Sequence, residues 1–282
     1  SNTANNTGEA VGDSYISIEG IRAGNGAFND TLRGDAGNNS LEGMDGADTL
    51  DGGAGTDFAS YNSATAAVVA SLASPGVNTG AAAGDTYIAI EGLIGTAFGD
   101  TLTGDGANNF LRGGLGGDVL DGGGGGDFAD YIGSSAGLTV SLAAPGANTG
   151  EALGDTFVSI ENIRGSNFND TLTGNGGGNF LRGGLGADAL DGGGGLDTAD
   201  YLGSAAGLTV SLASPASNTG EAVGDTFTSI ENLRGSNFGD TLAGNGSANT
   251  LDGQGGAESR NGLELVEGPA RVAERPTRHH GH

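Results

Sequence analysis

Residues 95 to 130 divide into four consecutive lines of nine: GTAFGDTLT, GDGANNFLR, GGLGGDVLD and GGGGGDFAD. Each line opens on Gly, carries Asp or Asn sixth, and has Leu or Ala eighth. This register fits the pattern G-G-x-G-x-D-x-U-x, whose spacing has a physical reading. The glycines permit a tight turn, the sixth residue points a side-chain oxygen at a cation, and the eighth fills a narrow core. The same four lines recur at 25–60 and 165–200 and begin again at 235. A chain patterned this way is a stack of short turns and strands, with cations between the turns.

A longer period lies over the short one. Asn-Thr-Gly recurs at 6–8, 78–80, 148–150 and 218–220, which sets a unit of about 70 residues: 36 of nonads and then a 34-residue spacer such as 131–164. The chain then divides into part of a preceding spacer (1–24), unit 1 (25–94, nonads 25–60), unit 2 (95–164), unit 3 (165–234), a truncated unit 4 (235–256) and a divergent tail (257–282). Starting mid-repeat at Ser1, the sequence reads as a piece of something larger. Units that cannot bury a face alone must stack on their neighbours, which predicts an all-β class: a parallel β-roll or β-helix solenoid.

The spacer carries signals of its own. Leu138-Thr139-Val140-Ser141-Leu142 alternates apolar and polar, as a half-buried strand does, and Pro145-Gly146 with the following Asn-Thr-Gly marks a long turn. GEALGDTFV (150–158) repeats the nonad spacing, with Asp155 sixth and Phe157 eighth. The spacer is therefore expected to continue the coil as a wider rung; the alternative is a hairpin lying beside it. Thr-Leu-Thr at 101–103 and 171–173 gives way to Thr-Leu-Arg and Thr-Leu-Ala in the outer units, which predicts no continuous plane of threonines.

Composition says what must hold such a stack together. With 60 Gly, 5% aromatic residues and no Trp, there is too little large apolar side chain for a thick core. Ordering nine glycine-rich residues for each buried Leu costs more backbone entropy than that burial returns, so folding needs a further source of stability. The net charge of −25, from 35 acidic residues against ten arginines, points to that source. Such a surface repels itself and is unsuited to nucleic acid or an anionic membrane. Divalent cations resolve the conflict, and folding should be coupled to binding them. No segment approaches the roughly 20 apolar residues of a membrane span. The absence of Cys fits a secreted bacterial protein without disulfides, and equally a cytosolic one.

If two nonads complete one coil, turns of alternate nonads share an edge. The expected pairs of metal-ligating side chains are Asp30 with Asp48, Asn39 with Asp57, Asp100 with Asp118, Asn109 with Asp127, Asp170 with Asp188, and Asn179 with Asp197, with Asp240 beginning the fourth block. Turn carbonyls near Gly113, Gly114, Gly116, Gly122, Gly123, Gly125, Gly183, Gly184, Gly186, Gly192, Gly193 and Gly195 complete the shell. Two side-chain oxygens plus several carbonyls suit Ca²⁺, at about two ions per 36-residue block; Mg²⁺ wants a tighter octahedron. Zinc has no Cys or His ligands within the repeats. The sites are not equal. Phe28, Phe98, Phe168 and Phe238 stand fourth in the opening nonads, where they are expected to plug the core. Asn in the second nonad lowers the ligand charge, and Asp13, Asp85, Asp155 and Asp225 in the spacers are weaker candidates.

GGLGGDVLD, GGLGADALD and GGAGTDFAS resemble the hemolysin-type calcium-binding repeats of RTX (repeats-in-toxin) proteins. GDTFVSIENIRGSNFNDTLTG and GLTVSLA are similar to segments joining such repeats in large secreted adhesins and in the calcium-binding modules of alginate epimerases. The resemblance implies a parallel β-roll that is disordered without calcium inside the cell, type I secretion, and folding on extracellular calcium, with localisation outside the cell or on a bacterial surface.

Catalysis is the poorer reading. Cys and Lys are absent and the three His lie at 279, 280 and 282, so the usual nucleophile–base pairs are missing. The expected role is a calcium-dependent structural, adhesive or self-association module, with itself or a cell-surface polysaccharide as partner. The alternative is an accessory module of a polysaccharide-active or other secreted enzyme or toxin. The tail, with four of the ten arginines and all the histidines, fits no nonad register: a cap, a remnant of a secretion signal or an artefact.

Overall fold

The computed structural model describes residues 19–24 and 26–256, together with the backbone of Ser259–Asn261. The rest of the 1–24 spacer with Asp13, and the tail beyond with its histidines, lie outside the described residues.

Every strand pairing between named strands is parallel, and nearly every strand is three residues long. That length follows from the nonad: six residues make a turn and three make a strand. Successive strands fall on opposite sides of a flattened coil. Phe110–Arg112 pairs with Phe128–Asp130 on one side, and Thr101–Thr103 pairs with Val119–Asp121 on the other. The coil therefore repeats every 18 residues, as two nonads per turn require. Side chains alternate along each strand, so the middle residue of every triplet faces in. Leu102, Leu111, Leu120 and Ala129 are fully buried, and Leu172, Leu181 and Ala199 repeat them one unit on.

Among the described residues the two sides differ. One is a single 11-stranded sheet; the other is broken into sheets of 3, 4, 4 and 3 strands. Each break falls in a spacer. After Phe58–Ser60 the chain crosses to Val69–Ser71, which pairs forward with Thr101–Thr103 of the next unit. It then turns back through two 3₁₀ turns and lays Thr86–Ile88 against Thr49–Asp51 of its own unit. The later strand thus sits behind the earlier one along the axis. Asn-Thr-Gly makes this reversal: Asn78 Oδ1 accepts from Ser71 N at 2.8 Å, Thr79 N donates to Val69 O at 2.9 Å, and Gly80 takes φ 69°. The same motif serves at Asn148 and Asn218.

GEALGDTFV does form the nonad-like rung, with Phe157 half-buried over Leu120. One expectation needs correcting. Phe28, Phe98, Phe168 and Phe238 do not plug the core: they are 45–72% exposed, because position four lies at the outer tip of the turn while position eight alone faces in. As expected, no continuous plane of threonines runs down the interrupted side: Val69, Val119 and Ala189 stand in the same outer place and break it. Threonine fills most of the other places on this side, with Thr86, Thr139, Thr156, Thr209 and Thr226 coming from spacer strands. A β-branched side chain suits this outer strand position.

Candidate metal centre

The sixth residue of each nonad closes its turn against the coil, but the turns are of two kinds. In the third nonad, Asp118 is buried and its Oδ1 accepts from Asp100 N at 2.7 Å, one coil back. Its Oδ2 is also buried and has no hydrogen-bond partner. Asp48 and Asp188 repeat this, holding Asp30 N at 2.8 Å and Asp170 N at 2.9 Å with one oxygen while the other is orphaned. In the fourth nonad, Asp57, Asp127 and Asp197 take Asn39 N, Asn109 N and Asn179 N, and each leaves Oδ2 orphaned. Among the described residues six open turns result, two per full unit.

In the second nonads, and in the first nonads that hold Asp100, Asp170 and Asp240, the corresponding oxygens are satisfied by nearby N–H groups. Asp100 Oδ2 accepts from Thr96 N at 2.6 Å, and Oδ1 from Val68 N at 2.7 Å. Asp170 and Asp240 are held likewise by Ser166 N and Ser236 N. Asn39, Asn109 and Asn179 accept from Asp35 N, Asp105 N and Asn175 N, four residues back. The amide nitrogens of Asn109 and Asn179 donate in turn to the carbonyls of Glu91 and Glu161. The stacked pairs read from the sequence are thus adjacent, but they meet through a backbone N–H of one and a carboxylate of the other. Asp85, Asp155 and Asp225 are also closed: Asp155 takes Asp118 N with one oxygen and the hydroxyl of the fully buried Tyr131 with the other.

The second residue of the nonad decides between the two kinds. In the open turns it is Gly53, Gly114, Gly123, Gly184 or Gly193, at φ 84–100°, or Met44 at φ 71°. That left-handed backbone carries the N–H away from the sixth side chain. In the closed first and second nonads the second residue, Asp35, Thr96, Asp105, Ser166, Asn175 or Ser236, has no left-handed φ and donates to that side chain.

Glycine is needed here for a second reason, the closeness of the previous coil. A Cβ on Gly114 would strike Thr96 O, and one on Gly123 would strike Asp105 O. Gly116, Gly125, Gly184, Gly186, Gly193 and Gly195 meet carbonyls of the preceding coil in the same way. Gly113 and Gly183 would collide with the orphaned oxygens of Asp118 and Asp188, and Gly122 and Gly192 with those of Asp127 and Asp197. Each orphaned carboxylate oxygen therefore looks into a glycine-walled space beside backbone carbonyls.

Burial without a counter-charge pushes Asp118 up to about 7, Asp127 to about 6 and Asp188 to about 8, with neighbouring carboxylates such as Asp155, Glu161 and Asp225 adding to the rise. Asp48, Asp57 and Asp197 are raised by the same desolvation. An ionised carboxylate with a buried, unpartnered oxygen is costly unless something cationic meets it. Among the described residues no three His, Cys, Asp or Glu converge, so a metal here takes one or two carboxylates and draws the rest of its ligands from the backbone. That donor set, all oxygen, fits Ca²⁺ and excludes a thiolate or imidazole metal. The residues fit the ion.

Sequence reasoning missed Glu91, Glu161 and Glu231, whose carboxylates accept Asp57 N, Asp127 N and Asp197 N at 2.9–3.0 Å. Their signal was the Ile-Glu pair at the same place in every spacer.

A parallel β-roll whose turns hold orphaned carboxylates over glycine-walled spaces defines a class of calcium-binding repeat. The family model for the RTX calcium-binding nonapeptide repeat matches four copies, at residues 25–59, 94–129, 164–199 and 228–258. The chain belongs to that family. No curated protein matches it significantly. Among the described residues no helix is long and apolar enough to cross a membrane.

Proposed function

We propose that this chain is a non-catalytic, calcium-dependent structural module of a secreted bacterial protein, which folds when it meets extracellular calcium and then acts as a rigid adhesive or self-associating element. The observation that carries the reading is the set of six orphaned aspartate oxygens, Asp48, Asp57, Asp118, Asp127, Asp188 and Asp197. They make the folded state unfavourable without cations and favourable with them, at about two ions per full unit. Calcium thereby becomes the folding switch. Asp100, Asp170, Asp240 and the asparagines at 39, 109 and 179 serve as hydrogen-bonded spacers between loaded turns. The reading as a non-catalytic module is supported by the lack of Cys and Lys and by carboxylates already engaged in turn closure.

Far-ultraviolet circular dichroism of the full chain tests this. In EDTA the expected spectrum is that of a disordered chain, with β structure appearing at roughly 10⁻⁴–10⁻³ M calcium. An identical β spectrum in EDTA and in calcium would overturn the proposal. Sedimentation velocity in calcium then tests self-association, for which a monomer at all concentrations is the contrary result.

A further inference from the structure

We infer that the spacer completes the fourth-turn site of each unit: the carbonyl of Ser159 and the carboxylate of Glu161 join Asp127, which makes this site bind calcium more tightly than the third-turn site of the same unit. The inference rests on the reading that the open turns hold calcium, and adds to it which residues finish the shell and which site fills first.

Three observations recur at each junction. The first is the carbonyl. A Cβ on Gly122 would strike both Ser159 O and Asp127 Oδ2; on Gly52 it would strike Ala89 O and Asp57 Oδ2, and on Gly192, Ser229 O and Asp197 Oδ2. Two oxygens, one of them a buried carboxylate oxygen without a donor, therefore flank one small space. At the third turn the nearest atoms to a Cβ on Gly113 or Gly183 all belong to the aspartate itself.

The second is the backbone that aims that carbonyl. Ala89, Ser159 and Ser229 take φ 47–49°, left-handed and unfavourable for a side chain. Between Thr156–Val158 and Asn162–Arg164 the chain crosses the edge of the roll in three residues, where a nonad uses six. The short link forces the left-handed residue, and the left-handed residue turns its carbonyl toward the site.

The third is the added carboxylate. The short link brings Glu161 to the place an aspartate holds in a six-residue turn, and the longer side chain makes up the reach. Glu161 Oε2 accepts from Asp127 N at 3.0 Å, as Asp127 Oδ1 does from Asn109 N. Its other oxygen takes no hydrogen bond from the described protein. The third-turn counterpart, Asp155, has both oxygens engaged, by Asp118 N and Tyr131 Oη. Calcium affinity rises with the charge of the ligand set, so the fourth turn is favoured on both carbonyl and carboxylate.

Isothermal titration of the full chain with calcium at pH 8 reads this out. The wild type should show three tight sites, at Asp57, Asp127 and Asp197, and three weaker ones, at Asp48, Asp118 and Asp188. Glu161→Gln keeps an acceptor for Asp127 N but removes the charge; the tight class should fall from three to two, the lost site weakening by about tenfold or more. Glu151→Gln removes a charge near the third turn and should leave three tight sites. If Glu161→Gln fails to show a calcium-saturated β spectrum, Glu231→Gln repeats the test at the last junction. Three tight sites surviving in both glutamine variants, or six equal sites in the wild type, would overturn the inference while leaving calcium binding intact. No calcium binding by the wild type would instead overturn the reading beneath it.

Discussion

Replacing Asp118 by Asn should change stability in opposite directions with and without calcium. The carboxylate is fully buried with one oxygen orphaned, and desolvation lifts it from its ordinary 3.8 to about 7. At about 1.36 kcal/mol for each unit, holding it ionised costs the calcium-free fold on the order of 4 kcal/mol above pH 7. Asparagine removes that cost, and the fold already accepts asparagine at this place: Asn109 and Asn179 put their amide on the carbonyl 18 residues earlier. With calcium the substitution removes a charged ligand and about 2.7 kcal/mol of binding stabilisation at a hundredfold excess over the dissociation constant. Since the calcium-free chain should be unfolded in buffer, the calcium-free arm uses an excluded osmolyte to drive folding in EDTA at pH 8. Asp118→Asn should lower the osmolyte concentration at the midpoint. Urea unfolding in excess calcium should show the same variant to be less stable than wild type. A shift of the same sign in both media would refute the account of the orphaned oxygen.

Further outcomes follow from the same geometry. A raised carboxylate pKa means that the folded state binds more protons than the unfolded one, so this stability is present below about pH 4 and is lost as pH rises through about 6 to 8, the range set by Asp127, Asp118 and Asp188. Osmolyte-driven folding in EDTA should therefore be easier at pH 5 than at pH 8.5, and calcium should reverse that order because protons compete with it for the same oxygens. Met44 stands at φ 71° where the other open turns have glycine; Met44→Gly should stabilise the calcium-bound fold by about 1 kcal/mol, measured as a urea midpoint. Gly122→Ala would drive a methyl into Ser159 O and Asp127, whereas Gly106→Ala meets nothing within 4 Å. The first should abolish one calcium site in a titration and the second should leave all of them.

The coil was legible because its determinants are local. A glycine that must turn left-handed and a leucine that must face in recur at fixed offsets, so Gly114 and Leu120 announce their roles without help from distant residues. Which aspartates lack a partner was less legible, although the signal was present: Thr96 and Asp105 stand where Gly114 and Gly123 allow a left-handed turn, and that one difference closes or opens the site. Phe98 was misread because its size suggested a core, while its place at the tip of the turn decides its exposure. The spacer hid most. Val69–Ser71 lies ahead of Thr86–Ile88 along the axis through pairings to different units, and Glu161 reaches its place only because a three-residue link replaces six. Neither fact is written in local spacing.

The most direct test of the central claim is a count of bound calcium by equilibrium dialysis, on the wild type and on the triple variant Asp48→Asn, Asp118→Asn, Asp188→Asn. If the open turns are the sites, the described repeats hold six ions and the variant three. A count unchanged by the triple substitution, or reduced instead by changing the closed-turn residues Asp100 and Asp170 to Asn, would contradict the assignment of calcium to the turns with orphaned oxygens.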